Sequence, residues 1–332
     1  MQVTHSEVLI IGAGIAGLAA ARRVHEADLT CRLLEKSRGL GGRCATRRFH
    51  NASFDHGAQF FTVRNPPLKA LAESWLEQDS IREWCRGFPC AATGAGAGVD
   101  GYPRYCSSPG MNRLPKVLGS GLTIEKQVLV TSIERAADGW HVASSDERHW
   151  HSHALIVTAP LPQTLALLEP DVSRQVLTCF PALQEVDYDP CFTVMLALSG
   201  ESGVPPPGAI REPNSAIDWI ADNSMKHETG GPAALTVHTS AAFTRRHFDA
   251  PQEDVAAAVI EEVQPYLMAD VAAWQVHRWR YAKPREPLSV GALALPGTHP
   301  LVLSGDYLNT PARLEGAFDS GISAATYILA QS

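Results

Sequence analysis

Three glycines near the start of the chain have the spacing of a phosphate-binding turn. Gly12, Gly14 and Gly17 follow the apolar run VLII directly and precede an alanine-rich segment with good helix-forming residues. In such a strand–turn–helix context the first glycine permits the tight turn, the second lets the backbone approach a pyrophosphate, and the third lets helix and strand pack closely. The N-terminus of the helix also favours the phosphate charge. The sequence therefore predicts a dinucleotide site here, with Ile15 and Ala16 among its contacts.

An acidic residue stands where a ribose-binding carboxylate is expected. Glu35 ends a second apolar segment, residues 31–34, at about the ~20-residue separation that this fingerprint requires. A carboxylate there accepts hydrogen bonds from both ribose hydroxyls and repels a 2′-phosphate. The tightly held nucleotide is thus expected to be FAD or NAD rather than NADP.

Three further stretches combine aromatic residues with polar or basic ones, and they are candidates to line a substrate site. They contain Gln59, Phe60, Phe61, Thr62, Val63 and Arg64; then Arg104 and Tyr105; and then Trp219, Asn223 and His238, with Trp279 as further aromatic cover. Each has a plainer interpretation. Arg64 can pair with an acid at the surface, His238 can be a core histidine, and both phenylalanines can belong to the core.

The composition of the chain that must position these residues is typical of a globular protein. The chain has 332 residues, 45% of them hydrophobic and 19% charged, with a net charge of -7 and dispersed basic residues. We expect no nucleic-acid partner. No apolar run approaches the ~20 residues that span a bilayer, and the first residues lack the basic segment of a signal peptide. The seven cysteines match no zinc or redox spacing. A cytoplasmic protein, monomeric or weakly dimeric, is expected.

The later part of the chain makes the cofactor more specific. Glu35 is followed by Lys36 and then by Gly-Gly-Arg at 41–43, a predicted strand ends in Gly305-Asp306, and a helix opens with GAFDSG at 316–321. Together these motifs resemble the flavin-dependent amine oxidase superfamily. The resemblance implies FAD, with the late Gly-Asp strand contacting ribityl and pyrophosphate groups and the following helix pointing its N-terminus at the flavin ring, where it stabilises negative charge. The implied contacts, beyond the first glycine turn and Glu35, are Lys36, Gly41, Gly42, Arg43, Ala58, Gln59, Val128, Gly305, Asp306, Arg313, Leu314 and Gly321.

The expected fold is α/β, a Rossmann-like FAD-binding domain with an inserted α+β substrate domain. The fingerprint and the closing strand lie at opposite ends of the chain, so the cofactor domain must be discontinuous. We predict residues 1–65, 102–165 and 285–332 for it, and 66–101 and 166–284 for the substrate domain. A strand is predicted at 127–130, and strands near 191–198, 233–238 and 271–281 in the substrate domain. Since no cysteine follows Cys191, attachment of the FAD is expected to be non-covalent.

The likeness narrows further to one family. KSRG and GGR at 36–43, DHGAQFFTVR at 55–64, Arg104-Tyr105, VHT at 237–239 and WRY at 279–281 resemble the renalase family, especially its bacterial members. This implies oxidation of the 2- and 6-dihydro isomers of NAD(P)H to NAD(P)+, with O2 reduced to hydrogen peroxide. Gln59, Asn223 and His238 would position flavin and nicotinamide, and Arg64, Arg104 and Arg313 would meet phosphates.

Two other functions stay open. The first is a flavin amine oxidase for a small amine or polyamine, a class that typically uses an aromatic cage and a lysine-held water near the flavin. Only Lys226 and Lys283 are candidates for that lysine. The second is a non-enzymatic, flavin-binding redox sensor.

Three histidines at period two, His149, His151 and His153, share one face of a predicted strand. They could ligate zinc. No fourth ligand is evident, so a solvated strand face without a metal is expected.

Overall fold

The computed structural model of the protein describes residues 3–91 and 99–331 and divides the chain into two compact units. The first contains the chain up to Gly42, Pro115–Asp187 and the chain from Pro284 onward. The second contains Arg43–Leu114 and Tyr188–Lys283. Residues 43–65 and 102–114, expected in the cofactor domain, thus pack in the second unit, and residues 166–187, expected in the substrate domain, pack in the first.

The strands and helices of the described residues follow one another in single elements and in short runs of one type. The strands are β1 (Val3–Ile11), β2 (Cys31–Glu35), β3 (Thr46–Phe49), β4 (Ala52–Asp55), β5 (Arg82–Gly87), β6 (Val99–Cys106), β7 (Ile124–Lys126), β8 (Val130–Ala136), β9 (Gly139–Ser144), β10 (His149–Val157), β11 (Tyr188–Leu198), β12 (Ala209–Arg211), β13 (Ile217–Asp222), β14 (Ala234–Thr239), β15 (Val271–Pro284), β16 (Leu293–Leu295) and β17 (Leu301–Leu303). The helices are α1 (Ile15–His25), α2 (Pro66–Glu77), α3 (Arg113–Leu118), α4 (Leu161–Leu167), α5 (Pro170–Cys179), α6 (Asn223–His227), α7 (Ala241–Arg246), α8 (Gln252–Glu262) and α9 (Leu314–Leu329).

A largely parallel sheet forms the centre of the first unit. Its strand order is β16-β17-β10-β1-β2-β7, and β8 and β9 form an antiparallel hairpin whose second strand pairs with β10. β1 pairs in parallel with both β2 and β10, and β10 with β17. Residues 8–11 of β1 are buried, as expected for a strand covered on both faces. The carboxyl end of β1 therefore lies beside the equivalent ends of β2 and β10, where ligands bind in open α/β sheets.

One predicted strand of this unit is wrong. Residues 127–129 lie between β7 and β8 and form no strand. Gln127 has φ +59°, a left-handed conformation that interrupts a strand. Val128 and Val130 are both buried, but Val128 lies in a loop and Val130 is the first residue of β8. Their apolar pattern therefore does not mark a single strand.

A five-stranded sheet with strand order β12-β13-β14-β11-β15 forms the centre of the second unit. The pairs β12/β13, β13/β14 and β11/β14 are antiparallel. Apolar residues of this sheet and of α7 and α8 form one core cluster, and the hairpins β3/β4 and β5/β6 complete the unit. The predicted α/β class with a Rossmann-like domain and a second α+β domain is confirmed. Within residues 3–91 and 99–331, the helices all fall short of what a bilayer crossing requires in length and apolar character.

Candidate functional site

The first glycine turn of the first unit leaves an open space at the start of α1. Gly12 has φ +101°, and its N–H donates to the Leu34 carbonyl at 2.8 Å. A Cβ on Gly17 would lie 1.9 Å from the Gly12 carbonyl oxygen, so only glycine fits there. A Cβ on Gly14 would have no atom within 4 Å. Gly14 is thus not required by packing, and its bare backbone borders a space that a ligand can occupy.

Glu35 is held in place by backbone donors. The Ala13 N–H donates to Oε2 at 2.9 Å and the Ser37 N–H to Oε1 at 2.7 Å, and the residue is only 6% exposed. Each carboxylate oxygen keeps a lone pair for a ribose hydroxyl. Val128 is buried, and its N–H donates to the Glu35 carbonyl at 2.9 Å.

A second glycine turn closes on the first. The Gly41 N–H donates to the Ala13 carbonyl at 2.8 Å, and Gly41 and Gly42 have φ of +104° and +52°. A Cβ on Gly42 would lie 3.7 Å from the Gly14 Cα. Both turns therefore bring side-chain-free backbone to one place, whereas the neighbouring Lys36 is exposed.

The late Gly-Asp motif lies at the carboxyl end of β17. Gly305 has φ +155°, its N–H donates to the Ser320 hydroxyl at 2.8 Å, and Asp306 is buried. Arg313 is exposed and precedes Leu314, the first residue of α9. Gly321 lies two turns further on, where a Cβ would meet the Ala16 carbonyl oxygen at 2.1 Å. The geometry suits Gly321 to close packing of α9 on α1 rather than to a ligand contact.

In the second unit, Gln59 has an unused acceptor. Its Nε2 donates to the Gly57 carbonyl at 3.1 Å and to the Asp55 carbonyl, and the residue is 6% exposed. Its Oε1 has no hydrogen-bond partner among the described residues. Because both amide protons are engaged, the side chain cannot rotate freely and Oε1 keeps one direction. A buried acceptor left unmatched costs free energy, so a donor from a bound molecule is expected there.

The second unit also contains a buried ionic cluster of Asp55, Lys226 and His227. Asp55 precedes Gln59 by four residues. The Lys226 Nζ is 2.7 Å and the His227 Nε2 2.9 Å from the Asp55 Oδ2. The other oxygen, Oδ1, accepts from the Thr46 hydroxyl at 2.6 Å and the Met111 N–H at 2.8 Å. Burial raises the pKa of Asp55, but the ammonium of Lys226 and the contacts with His227 outweigh it and hold that pKa well below its usual range.

Asn223 supports this cluster from the start of α6. Its Nδ2 donates to the Ala234 carbonyl at 2.8 Å and the Thr236 hydroxyl at 2.9 Å, and its Oδ1 accepts from the Asp55 N–H at 3.0 Å. Only 1% of the residue is exposed. We had expected Asn223 to orient a substrate. Since its amide protons and its carbonyl oxygen are engaged inside the unit, the geometry instead suits it to positioning Asp55.

Phe60, the residue after Gln59, belongs to a cluster of aromatic side chains. The Phe60 ring packs 5.0 Å from the Phe88 ring and 5.7 Å from the Trp219 ring, and Trp219 is T-shaped on Phe88 at 4.8 Å. The Lys226 Nζ lies 5.1 Å from the centre of the Trp84 ring, which is T-shaped on Phe88 at 4.8 Å. Phe60 and Trp219 thus pack in one apolar cluster, and their part in lining a substrate site stays a prediction.

Phe61 and the residues after it continue as an extended segment. Phe61 is buried and exchanges two backbone hydrogen bonds of 2.9 Å with Tyr105. Thr62 and Val63 are half-buried. Phe61 is therefore fixed by the core, in line with its plainer interpretation.

A second aromatic group surrounds His56. Trp279 stacks on His56 at 5.5 Å, and its Nε1 donates to the His56 carbonyl at 3.0 Å and the Thr193 hydroxyl at 3.1 Å. Burial lowers the pKa of His56 and of His238 to about 4. Both rings are consequently neutral near pH 7, and the Nε2 of His238 has no hydrogen-bond partner among the described residues.

The two predicted phosphate-binding arginines of this unit differ in their surroundings. The guanidinium of Arg104 donates to both oxygens of Asp100 at 2.9 and 2.7 Å and to the Tyr102 carbonyl at 2.6 Å. Arg64 is exposed and lies over the Tyr102 ring at 5.5 Å. Asp100 offsets the charge of Arg104 and occupies its donors, which makes Arg104 less suited to a phosphate contact.

Comparison with known families decides the relationship. A model of the NAD(P)-binding Rossmann-like domain matches residues 10–75, and a model of flavin-containing amine oxidoreductases matches residues 85–329. The chain belongs to the flavin-containing amine oxidoreductase family. Mouse amine oxidase [flavin-containing] B is 34% identical over 80 residues, which are 24% of this chain and 15% of the mouse enzyme. The chain thus matches only a small part of that relative.

Two solved structures share the fold of this chain. A putrescine oxidase double mutant aligns with a TM-score of 0.73 at 14% identity, over 99% of this chain and 100% of that one. The putative protoporphyrinogen oxidase from Exiguobacterium sp. 255-15 aligns with a TM-score of 0.76 at 13% identity, over 100% of both chains.

The cofactor of this amine oxidoreductase is FAD, as predicted, and the residues of the first unit fit it. The open space beside Gly14 and Gly42 admits a pyrophosphate, and α1 directs its N-terminus there. Glu35 offers acceptors for ribose hydroxyls. The individual contacts and the non-covalent attachment stay predictions.

The buried cluster of Asp55, Lys226 and His227 was missed at the sequence level. Asp55 and Lys226 are 171 residues apart, and Lys226 lies in a five-residue helix without a distinctive pattern. A lysine inside an otherwise apolar fold needs a buried acid, but the sequence does not say which of its acids that is.

Proposed function

We propose that the protein is an FAD-dependent oxidase of 2- or 6-dihydro isomers of NAD(P)H, which yields NAD(P)+ and hydrogen peroxide. The chemistry that FAD supplies when bound is acceptance of a hydride and transfer of two electrons to O2. The tasks left to the chain are to bind the dinucleotide, orient its nicotinamide and exclude water. Membership in the amine oxidoreductase family and the renalase-like motifs support this choice.

The observation that carries the proposal is how the second unit holds His238 and Lys226. A dihydropyridine becomes aromatic when it gives up a hydride, so no proton has to leave it. His238, with a pKa of about 4, is a poor base near pH 7, since a general base works best with a pKa near the working pH. Lys226 is ion-paired to Asp55 and fully buried. Both groups suit a site that binds and orients rather than one that moves protons.

Gln59 is proposed to orient the reacting groups. Its Oε1 is a buried acceptor without a hydrogen-bond partner in the described part of the chain, and the nicotinamide carboxamide carries an N–H donor of the right kind. The flavin ring also carries an N–H at its edge. The apolar cluster of Phe60 and Trp219 supplies ring faces on which a planar heterocycle packs.

The phosphates of the substrate are assigned to cationic side chains. Arg64 is exposed and rests on Tyr102, which orders its guanidinium for a bidentate contact. Arg313 of the first unit is the second candidate. Arg104 is assigned a lesser part because Asp100 occupies its donors.

A flavin amine oxidase for a small amine or polyamine is the second candidate. Family membership and the aromatic group around Trp84, Phe88 and Trp219 favour it. Its lysine is harder to assign. Lys226 is held by Asp55 at 2.7 Å, and Lys283 is exposed at the end of β15.

The two functions are separated by anaerobic reduction of the purified yellow protein. NAD+ treated with borohydride contains the dihydro isomers, and we expect this mixture to bleach the flavin absorbance. Ordinary NADH and polyamines are expected to act slowly. Fast bleaching by a polyamine, with none by the isomer mixture, would favour the amine oxidase.

A further inference from the structure

A row of polar side chains crosses four strands in the first unit. In register, His5 of β1 lies opposite His151 of β10, His151 opposite His141 of β9, and His141 opposite Glu134 of β8. The ring centres are 5.1 Å apart for His5 and His151 and 4.8 Å apart for His141 and His151. Neighbouring strands thus assemble imidazoles that are far apart in sequence.

A carboxylate completes this group. Asp138 lies in the turn between β8 and β9, with Oδ1 3.5 Å from the Nε2 of His141 and Oδ2 3.4 Å from the Nε2 of His151. One ligand atom from each of the three residues lies within 4.8 Å of the others. These distances exceed those of good hydrogen bonds. The two distances involve different oxygens of Asp138, and each is close to the edge of about 3.4 Å that separates two ligand atoms in a tetrahedron with zinc–ligand bonds of about 2.0–2.1 Å.

The surroundings keep one nitrogen of this group available. The Nε2 of His151 is buried and has no hydrogen-bond partner among the described residues. Gly139 borders it, and a Cβ there would lie 2.9 Å from that nitrogen. Gly139 also has φ +150°. A Cβ at position 139 would also lie 2.3 Å from the Ser152 carbonyl oxygen, so only glycine leaves room beside this nitrogen.

We propose that Asp138, His141 and His151 bind one divalent transition-metal ion, with Zn2+ as the best match. Two imidazole nitrogens and one carboxylate oxygen form a borderline ligand set that suits Zn2+ better than Mg2+ or Ca2+. Water or the nearby His5 completes the coordination. The ion joins the β8–β9 turn to β10, and it stabilises the folded state by binding it selectively.

This proposal changes the expectation of a solvated strand face. Of His149, His151 and His153 on β10, only His151 takes part. His153 turns to His299, with the two Nδ1 atoms 3.1 Å apart. The other two ligands, Asp138 and His141, come from the β8–β9 hairpin. The residue spacing within β10 alone does not reveal them.

The test is a titration of tag-free, FAD-loaded protein with zinc sulfate after treatment with EDTA. Calorimetry or competition with a chelating dye gives stoichiometry and affinity. We expect one zinc per chain and at least about a tenfold weaker Kd for His141→Ala, His151→Ala and Asp138→Asn, since even partners of metal ligands change affinity by 10–100-fold. His149→Ala is the matched control, from the same strand and face, and should bind as the wild type does.

Thermal unfolding gives a second readout that does not depend on enzyme activity. Zinc should raise the unfolding temperature of the wild type, and EDTA should reverse the shift. Equal zinc binding by the wild type and a His141→Ala/His151→Ala variant would overturn the proposal. An equal loss of affinity in His149→Ala would also overturn it.

Discussion

Lys226 and Asp55 form an ion pair with no exposed side-chain surface, Nζ to Oδ2 at 2.7 Å. Each partner removes the need to bury the other as an uncompensated charge. Asp55 precedes Gln59 by four residues, and the Nε2 of Gln59 donates to the Asp55 carbonyl. The cluster therefore positions the residue that we propose to orient the substrate, and it does so from within one unit.

Removing the lysine should destabilise the protein strongly. Lys226→Met leaves Asp55 buried without its cation, so we expect a loss of about 3–5 kcal/mol in the free energy of unfolding. Urea unfolding measures it. The matched control is Lys283→Met, which removes an exposed lysine of the same unit and should change little. An Asp55→Asn/Lys226→Met variant should lose less than the two single variants together. Equal losses for Lys226→Met and Lys283→Met would contradict the account.

His238 should make the stability of the protein depend on pH. The pKa of His238 is about 4 in the folded protein, against about 6.5 in an unfolded chain. Between these values the unfolded chain binds more protons, so stability is fully present above about pH 6.5 and falls as the pH drops towards 4. His238→Gln should flatten this fall in unfolding experiments between about pH 7.5 and about pH 5. The exposed His25 is the control, and an equal effect of His25→Gln would remove the explanation.

Two glycines of the first turn should respond differently to alanine. Gly14→Ala places its Cβ in open space at an ordinary φ of -73°, so the apoprotein should unfold as the wild type does while FAD binding weakens. Gly17→Ala meets the Gly12 carbonyl at 1.9 Å and should destabilise the apoprotein itself. Bound FAD per chain and apoprotein unfolding temperature measure the two effects. Full FAD retention by a folded Gly14→Ala variant would contradict the assignment of the pyrophosphate site.

The sequence predicts those features whose residues are adjacent in the chain, and it misses those whose residues meet only in the folded protein. The turn at Gly12 and Gly14 was predictable because strand, turn and helix are adjacent in the chain. The ion pair of Asp55 and Lys226 was not, because its partners meet only after the second unit has folded. Arg104 has the right residue type for a phosphate contact, but its pairing with Asp100 depends on local geometry that residue types do not reveal.

Arg64 should act on substrate affinity rather than on the reaction itself. If it binds a phosphate remote from the nicotinamide, Arg64→Ala should raise KM by roughly tenfold, the size of one charged hydrogen bond, and leave flavin reduction at saturation nearly unchanged. Arg48→Ala removes another exposed arginine of the same unit and serves as the control. A fall in the saturating rate at constant KM would show that Arg64 does not bind a remote phosphate.

The proposed reductant of the flavin is a 2- or 6-dihydro isomer of a nicotinamide dinucleotide. Anaerobic stopped-flow bleaching of the flavin tests this proposal most directly, with purified 2-dihydro, 6-dihydro and ordinary NADH and with putrescine as the amine control. We predict rapid bleaching by the 2- or 6-dihydro isomer, with stoichiometric NAD+, and slow bleaching by ordinary NADH and putrescine. Rapid bleaching by putrescine, with neither isomer faster than ordinary NADH, would contradict the account.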